Sequence, residues 1–94
     1  MSVYLGLIVA DPGVEQKLRE KHGGLTLDDV RDAIQQPSRS QAGWDDDEEY
    51  GRRLIAVGTT SSGRAVIAVL LPHPPYDGDD AETWIVKTAQ WLEV

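Results

Sequence analysis

Five basic or titratable side chains stand out as able to do chemistry: His22, Arg52, Arg53, Arg64 and Lys87. Histidine titrates nearest neutral pH and serves as a general acid or base. Arginine grips phosphate through a planar fork and stabilises charge developing on a phosphate in a transition state. Arg52 and Arg53 open the stretch Gly51 to Leu71, and Arg64 follows its internal turn. If the final strands form a meander, Arg64 and Lys87 come near each other on the sheet. A plainer reading stays open for each residue. His22 can be a packed histidine at the end of an apolar stripe, and the cations can be strand-end residues paired with acidic segments.

Four aromatic residues form a second group: Trp44, Tyr50, Trp84 and Trp91. Trp44 and Tyr50 flank the acidic run Asp45 to Glu49 and are candidates for anchoring a partner. An aromatic ring beside an arginine can also stack on a base. Ser61 and Ser62 lack a paired base and read as turn formers. There is no cysteine, so thiolate catalysis and Cys-ligated zinc are excluded. The two histidines, His22 and His73, lack the ligand spacing of a metal site. No Gly-rich phosphate loop or Gly-x-Ser-x-Gly motif is present.

These side chains need elements to hold them. The densest strand signal is Gly51 to Leu71, in which two apolar runs flank Thr59-Thr60-Ser61-Ser62-Gly63. That pattern predicts an antiparallel hairpin with a left-handed glycine. Its second run is apolar on both faces, which predicts a central strand with something packed on each side. Val3 to Ala10 predicts a first strand. Asp11-Pro12 predicts the start of a helix that Gly23 ends. Thr26 with Asp29 approximates a capping box for a second helix, with Leu27, Val30, Ala33 and Ile34 on its buried stripe and Pro37 at its end. Ser38 to Gly43 is compatible with a short edge strand, and Asp45 to Glu49 reads as an exposed loop. Thr83 to Ala89 predicts a last strand with Trp84, Val86 and Thr88 on one face.

Length and charge bound the rest. Ninety-four residues fit a single domain, 1–94, with one core. No stretch approaches the ~20 apolar residues of a membrane span. The N-terminus lacks a signal-peptide pattern, so the expected location is cytoplasmic. Asp45 to Glu49 carry five acidic charges and Asp77, Asp79, Asp80 and Glu82 four more. Without those nine, the net charge of −7 becomes +2. Local charge decides what a surface attracts, and the acid here is concentrated in two segments.

Several of these segments together resemble a family. They are Lys21-His22-Gly23 closing the first helix, Gly51-Arg52-Arg53-Leu54-Ile55-Ala56-Val57-Gly58 with Thr59 and Thr60, Gly63-Arg64 opening an apolar strand, and Trp84-Ile85-Val86-Lys87-Thr88-Ala89. From about Asp11 to Ala89 the chain resembles the small bacterial toxins of the BrnT type and related RelE/ParE domains. The resemblance implies an α+β, RelE-like fold: an antiparallel sheet of about four strands in β-α-α-β-β-β order, with two N-terminal helices on one face. It implies the toxin of a toxin–antitoxin pair, an endoribonuclease that cleaves mRNA without a metal or cofactor. His22, Arg64 and Lys87 match the catalytic positions, and Arg52 and Arg53 the phosphate-binding ones. The implied partners are a cognate antitoxin and mRNA or the ribosome, with a homodimer as a further option. Such toxins are usually basic and this chain is acidic. The alternative reading is therefore a non-catalytic module on the same fold, either an acidic immunity-like domain or a protein-interaction domain.

Overall fold

The computed structural model describes residues 5–21, 23–49, 51–73 and 82–92. Strand β1 (Leu7–Val9) leads into helices α1 (Pro12–Lys21) and α2 (Leu27–Ile34). A 3-10 turn (Pro37–Arg39) follows, then strands β2 (Ser40–Asp47), β3 (Gly51–Thr59), β4 (Ala65–His73) and β5 (Thr83–Leu92). The five strands form one α+β sheet in the order β1-β5-β4-β3-β2. All neighbours are antiparallel except β1 and β5, which run parallel. The sheet is therefore mixed and five-stranded, where an antiparallel sheet of about four was expected. No helix among the described residues is long and apolar enough to cross a membrane.

Local chemistry explains the helices. The Asp11 carbonyl accepts from the amides of Val14 and Glu15, starting α1. At its other end, Gly23 takes a φ of +66° and the Gly24 amide reaches back to the Arg19 carbonyl at 3.2 Å. That is a Schellman ending, which favours glycine because a Cβ is strained in the left-handed region. For α2 the capping box is complete: the Asp29 amide donates to Thr26 Oγ1, and the Thr26 amide donates to Asp29 Oδ2. Val30, Ala33 and Ile34 are buried as their spacing predicts.

Alternation sorts the strands. Leu54, Ala56, Val66, Ala68, Leu70, Trp84 and Val86 are fully buried beneath the helices together with Ile8, Leu18 and Leu25. Strand β4 is central, as its apolar sequence predicts. The expectation of packing on both of its faces is not met among the described residues. Val66, Ala68 and Leu70 are buried, whereas Ile67, Val69 and Leu71 on the other face are only partly so.

Two strand readings change. The acidic run is not wholly a loop, since Asp45, Asp46 and Asp47 continue β2 opposite Arg53, Arg52 and Gly51. Placing acids across from arginines removes the repulsion that makes a like-charge run avoid regular structure. The second change is in β5, which runs past Ala89 to Leu92 and contains a bulge. Val69 pairs with Thr88 and Leu70 with Val86, so Lys87 is the extra residue. A bulge shifts the period of two. Ala89 therefore joins Trp84 and Val86 on the buried face, and Thr88 turns to solvent.

Candidate functional site

The β3–β4 turn positions Arg64. The Gly63 amide donates to the Thr60 carbonyl at 2.9 Å, and the Thr60 amide to the Arg64 carbonyl at 2.8 Å. Gly63 has a φ of +90°, the left-handed glycine that the sequence predicts. Thr60 is 4% exposed. Its hydroxyl accepts from the Arg64 amide at 3.1 Å and shares a hydrogen bond with Ser62 Oγ at 2.9 Å. Asp32 of α2 clamps the same turn from outside. Its Oδ2 accepts from both the amide and the hydroxyl of Ser61, each at 2.9 Å. Its Oδ1 meets Arg39 Nη2 at 3.1 Å. The Ser61 hydrogen bonds, with a smaller contribution from the Arg39 charge, hold the Asp32 carboxyl below its ordinary pKa of 3.8.

Arg64 so placed lies over the indole of Trp91, 3.7 Å from the ring centroid. Trp91 Nε1 donates to the Gly23 carbonyl at 3.3 Å. Three segments distant in sequence thus converge: the end of α1, the β3–β4 turn and the end of β5. A Cβ added at Gly23 would sit 3.3 Å from Trp91 Cδ1, so a side chain there would crowd the ring. His22 and Tyr50 lie outside the described residues.

The other cations that the sequence singled out, Lys87, Arg52 and Arg53, lie elsewhere. Ala65 pairs with Leu92, and Lys87 stands five residues back along β5. That places Lys87 roughly 17 Å from the Arg64 end at ~3.3 Å per residue. The expected approach of Arg64 to Lys87 does not occur, because Arg64 is at the strand end and Lys87 at a mid-strand bulge. Arg53 and Arg52 lie six and seven residues from Thr59, toward the opposite end of β3. Arg53 Nε donates to Asp45 Oδ2 at 2.8 Å. Arg52 covers the Trp44 ring at 4.0 Å. Trp44 is half-buried against Trp84, with centroids 5.6 Å apart, and packs on the core. One side of Trp44 thus rests on the core while the residue stays partly exposed.

The acid is sorted too. Glu48 and Glu49 occupy the β2–β3 turn, and Glu82 leads into β5 at Thr83. His73 and Thr83 pair at that same end of the sheet. The length of β4 separates this end from Arg64, roughly 25 Å at ~3.3 Å per residue. Physiological screening acts over about 8 Å. The acidic end therefore leaves the potential around Arg64 largely unaffected.

Comparison with known proteins finds no match: no family model, no curated protein and no solved structure aligns with the chain. Its function is read from its own geometry. Sequence reasoning did not assign Thr60, Asp32 or Trp91 to this site. Trp91 carried a signal, since it continues the alternation of β5 once the bulge is allowed for. Asp32 carried none, because an aspartate on an exposed helix position does not reveal a turn 29 residues away.

Proposed function

We propose that this chain is the toxin-type member of a bacterial toxin–antitoxin pair, with a RelE-like fold, acting on mRNA at its Arg64 end. One observation carries the reading: a guanidinium over an indole, held by a braced turn, at the end of the sheet away from Glu48, Glu49 and Glu82. A fixed guanidinium suits a phosphodiester, and aromatic surface beside it suits an unstacked base. RNA can be cut without a metal when its 2′-oxygen attacks the adjacent phosphorus and the 5′-oxygen leaves. The 2′-hydroxyl gives its proton to a base, and the leaving oxygen takes one from an acid. Arg64 would stabilise the charge on the phosphorane oxygens. His22, which adjoins Gly23 in the chain, is the acid–base residue that the family resemblance offers.

The test is RNA cleavage by the purified chain in the presence of a metal chelator, comparing wild type with Arg64→Ala. Cleavage lost in a variant that melts like wild type supports the reading. A wild-type chain inert on RNA, and harmless when expressed alone, ends it.

A second reading has its own observation. Lys87 stands away from Arg64, and Arg53 is engaged by Asp45. Cations dispersed in this way favour a non-catalytic binding module on the same fold. RNA or protein binding without cleavage would select it.

A further inference from the structure

The sheet has a second face. Ile67, Val69 and Leu71 of β4 point away from the helices, beside Ile55 and Val57 of β3 and Ile85 of β5. Leu7 and Val9 of β1 extend this surface. No described element lies over it. Leu7 is 52% exposed, and Val57 and Leu92 are each 37% exposed. An antiparallel sheet that meets water on one face alternates apolar with polar residues. The central strands here keep aliphatic side chains on both faces, and a contiguous apolar patch of this kind marks an interaction site.

We propose that this face receives an amphipathic helix of a partner protein, with an apolar stripe flanked by lysines and arginines. Size fits the helix. The aliphatic side chains run from β1 to β3, four strands at ~4.8 Å or roughly 14 Å, which about 10 helical residues at 1.5 Å each would cross, with Gln41 and Asp45 of β2 and Thr88 and Gln90 of β5 as polar margins. Charge sets the flanks. Glu48 and Glu49 stand exposed at one end of the sheet, Glu82 borders β5, and the chain carries −7 overall. Arg53, on this face, is ion-paired with Asp45. A basic flank would meet complementary potential at the acidic rim and would be steered onto it. A second copy of the chain would set the same acidic rim against itself, which like charge opposes. The inference concerns the face opposite the helices and stands whether or not the Arg64 end acts on RNA.

The test uses the full chain and a synthetic 14-residue helix with leucines at i, i+3, i+4, i+7 and i+11 and lysines on both flanks. Two control peptides replace the lysines by glutamates or the leucines by serines. Calorimetric titration should show binding of the lysine–leucine peptide, weakening as salt rises. Both controls should bind at least tenfold more weakly. Val57→Lys, at an already exposed position, should weaken binding at least tenfold while melting like wild type. Val69→Thr should weaken it as well. The proposal is overturned if the lysine–leucine peptide does not bind, if the three peptides bind alike, or if both variants bind as wild type does. It is also overturned if sedimentation shows a dimer that Val57→Lys dissociates, which would assign the face to a second copy.

Discussion

The Arg64 guanidinium lies over the Trp91 indole, 3.7 Å from its centroid, although 27 positions separate them in the chain. At an exposed site such a pair stabilises by roughly 0.5–1 kcal/mol. Arg64→Ala should therefore lower the melting temperature by only a few degrees. Its effect on RNA should be much larger. The plot of log affinity against log salt should flatten by about 0.7 for single-stranded RNA, the signature of one lost phosphate contact. An unchanged slope would remove Arg64 from the proposed RNA-contacting surface.

Thr60 is the residue that holds Arg64 in place. In Thr60→Val the buried hydroxyl that receives the Arg64 amide is gone, at a cost of about 1–2 kcal/mol in thermal or urea unfolding. On the proposed function, RNA cleavage should fall even though Arg64 is intact. Thr60→Ser keeps the hydroxyl and should retain most of the activity. If Val and Ser behave alike in the cleavage assay, the hydroxyl does not position Arg64.

Asp32 should give the fold an acid-sensitive fastening. Its carboxyl titrates below its ordinary value of 3.8 because the Ser61 amide and hydroxyl bind the ionised form. A carboxylate depressed in the folded state contributes stability above the unfolded pKa and loses it as pH falls through the folded one. Asp32→Asn should therefore melt below wild type at neutral pH. The gap should shrink as pH drops below about 4 and close in stronger acid. Melting curves of both proteins from pH 7 to 2 would measure it, and a gap independent of pH would show that the charge is not involved.

Gly58 is where α2 rests on the sheet. A Cβ there would fall 2.0 Å from the Ala33 carbonyl oxygen and 3.0 Å from the Ser40 Cβ. The obstruction is backbone, so α2 must move as a body. Gly58→Ala should cost roughly 1–3 kcal/mol or more, lowering the melting temperature by about 10 °C. A variant with unchanged melting would mean that the helix can ride higher without loss.

The Asp45–Arg53 pair joins edge strand β2 to β3. Reversing both charges, Asp45→Arg with Arg53→Asp, should retain stability within about 1 kcal/mol of wild type. Either single change should be worse than the double, because like charges then oppose across the strands. Unfolding of the four proteins in a double-mutant cycle gives the coupling directly. A coupling of zero would make the pair incidental.

Local rules were legible in the sequence: the Thr26–Asp29 capping box, Gly23 and Gly63 in left-handed turns, the buried stripe of α2 and the central place of β4. Each depends on neighbours within a few residues, so side-chain size, hydrogen-bonding groups and backbone freedom settle it locally. The reach of β2 into Asp45–Asp47 was hidden, because a run of acids reads as a loop until the arginines of β3 are set across from it. The bulge at Lys87 was equally hidden, since it depends on the register with β4. Only the tertiary structure parted Lys87 from Arg64, put Trp91 beneath Arg64 and separated the acidic end from the cation by the length of a strand. Those relations join segments far apart in the chain, and it is the sheet register, set jointly by five strands and the helices packed on them, that fixes them.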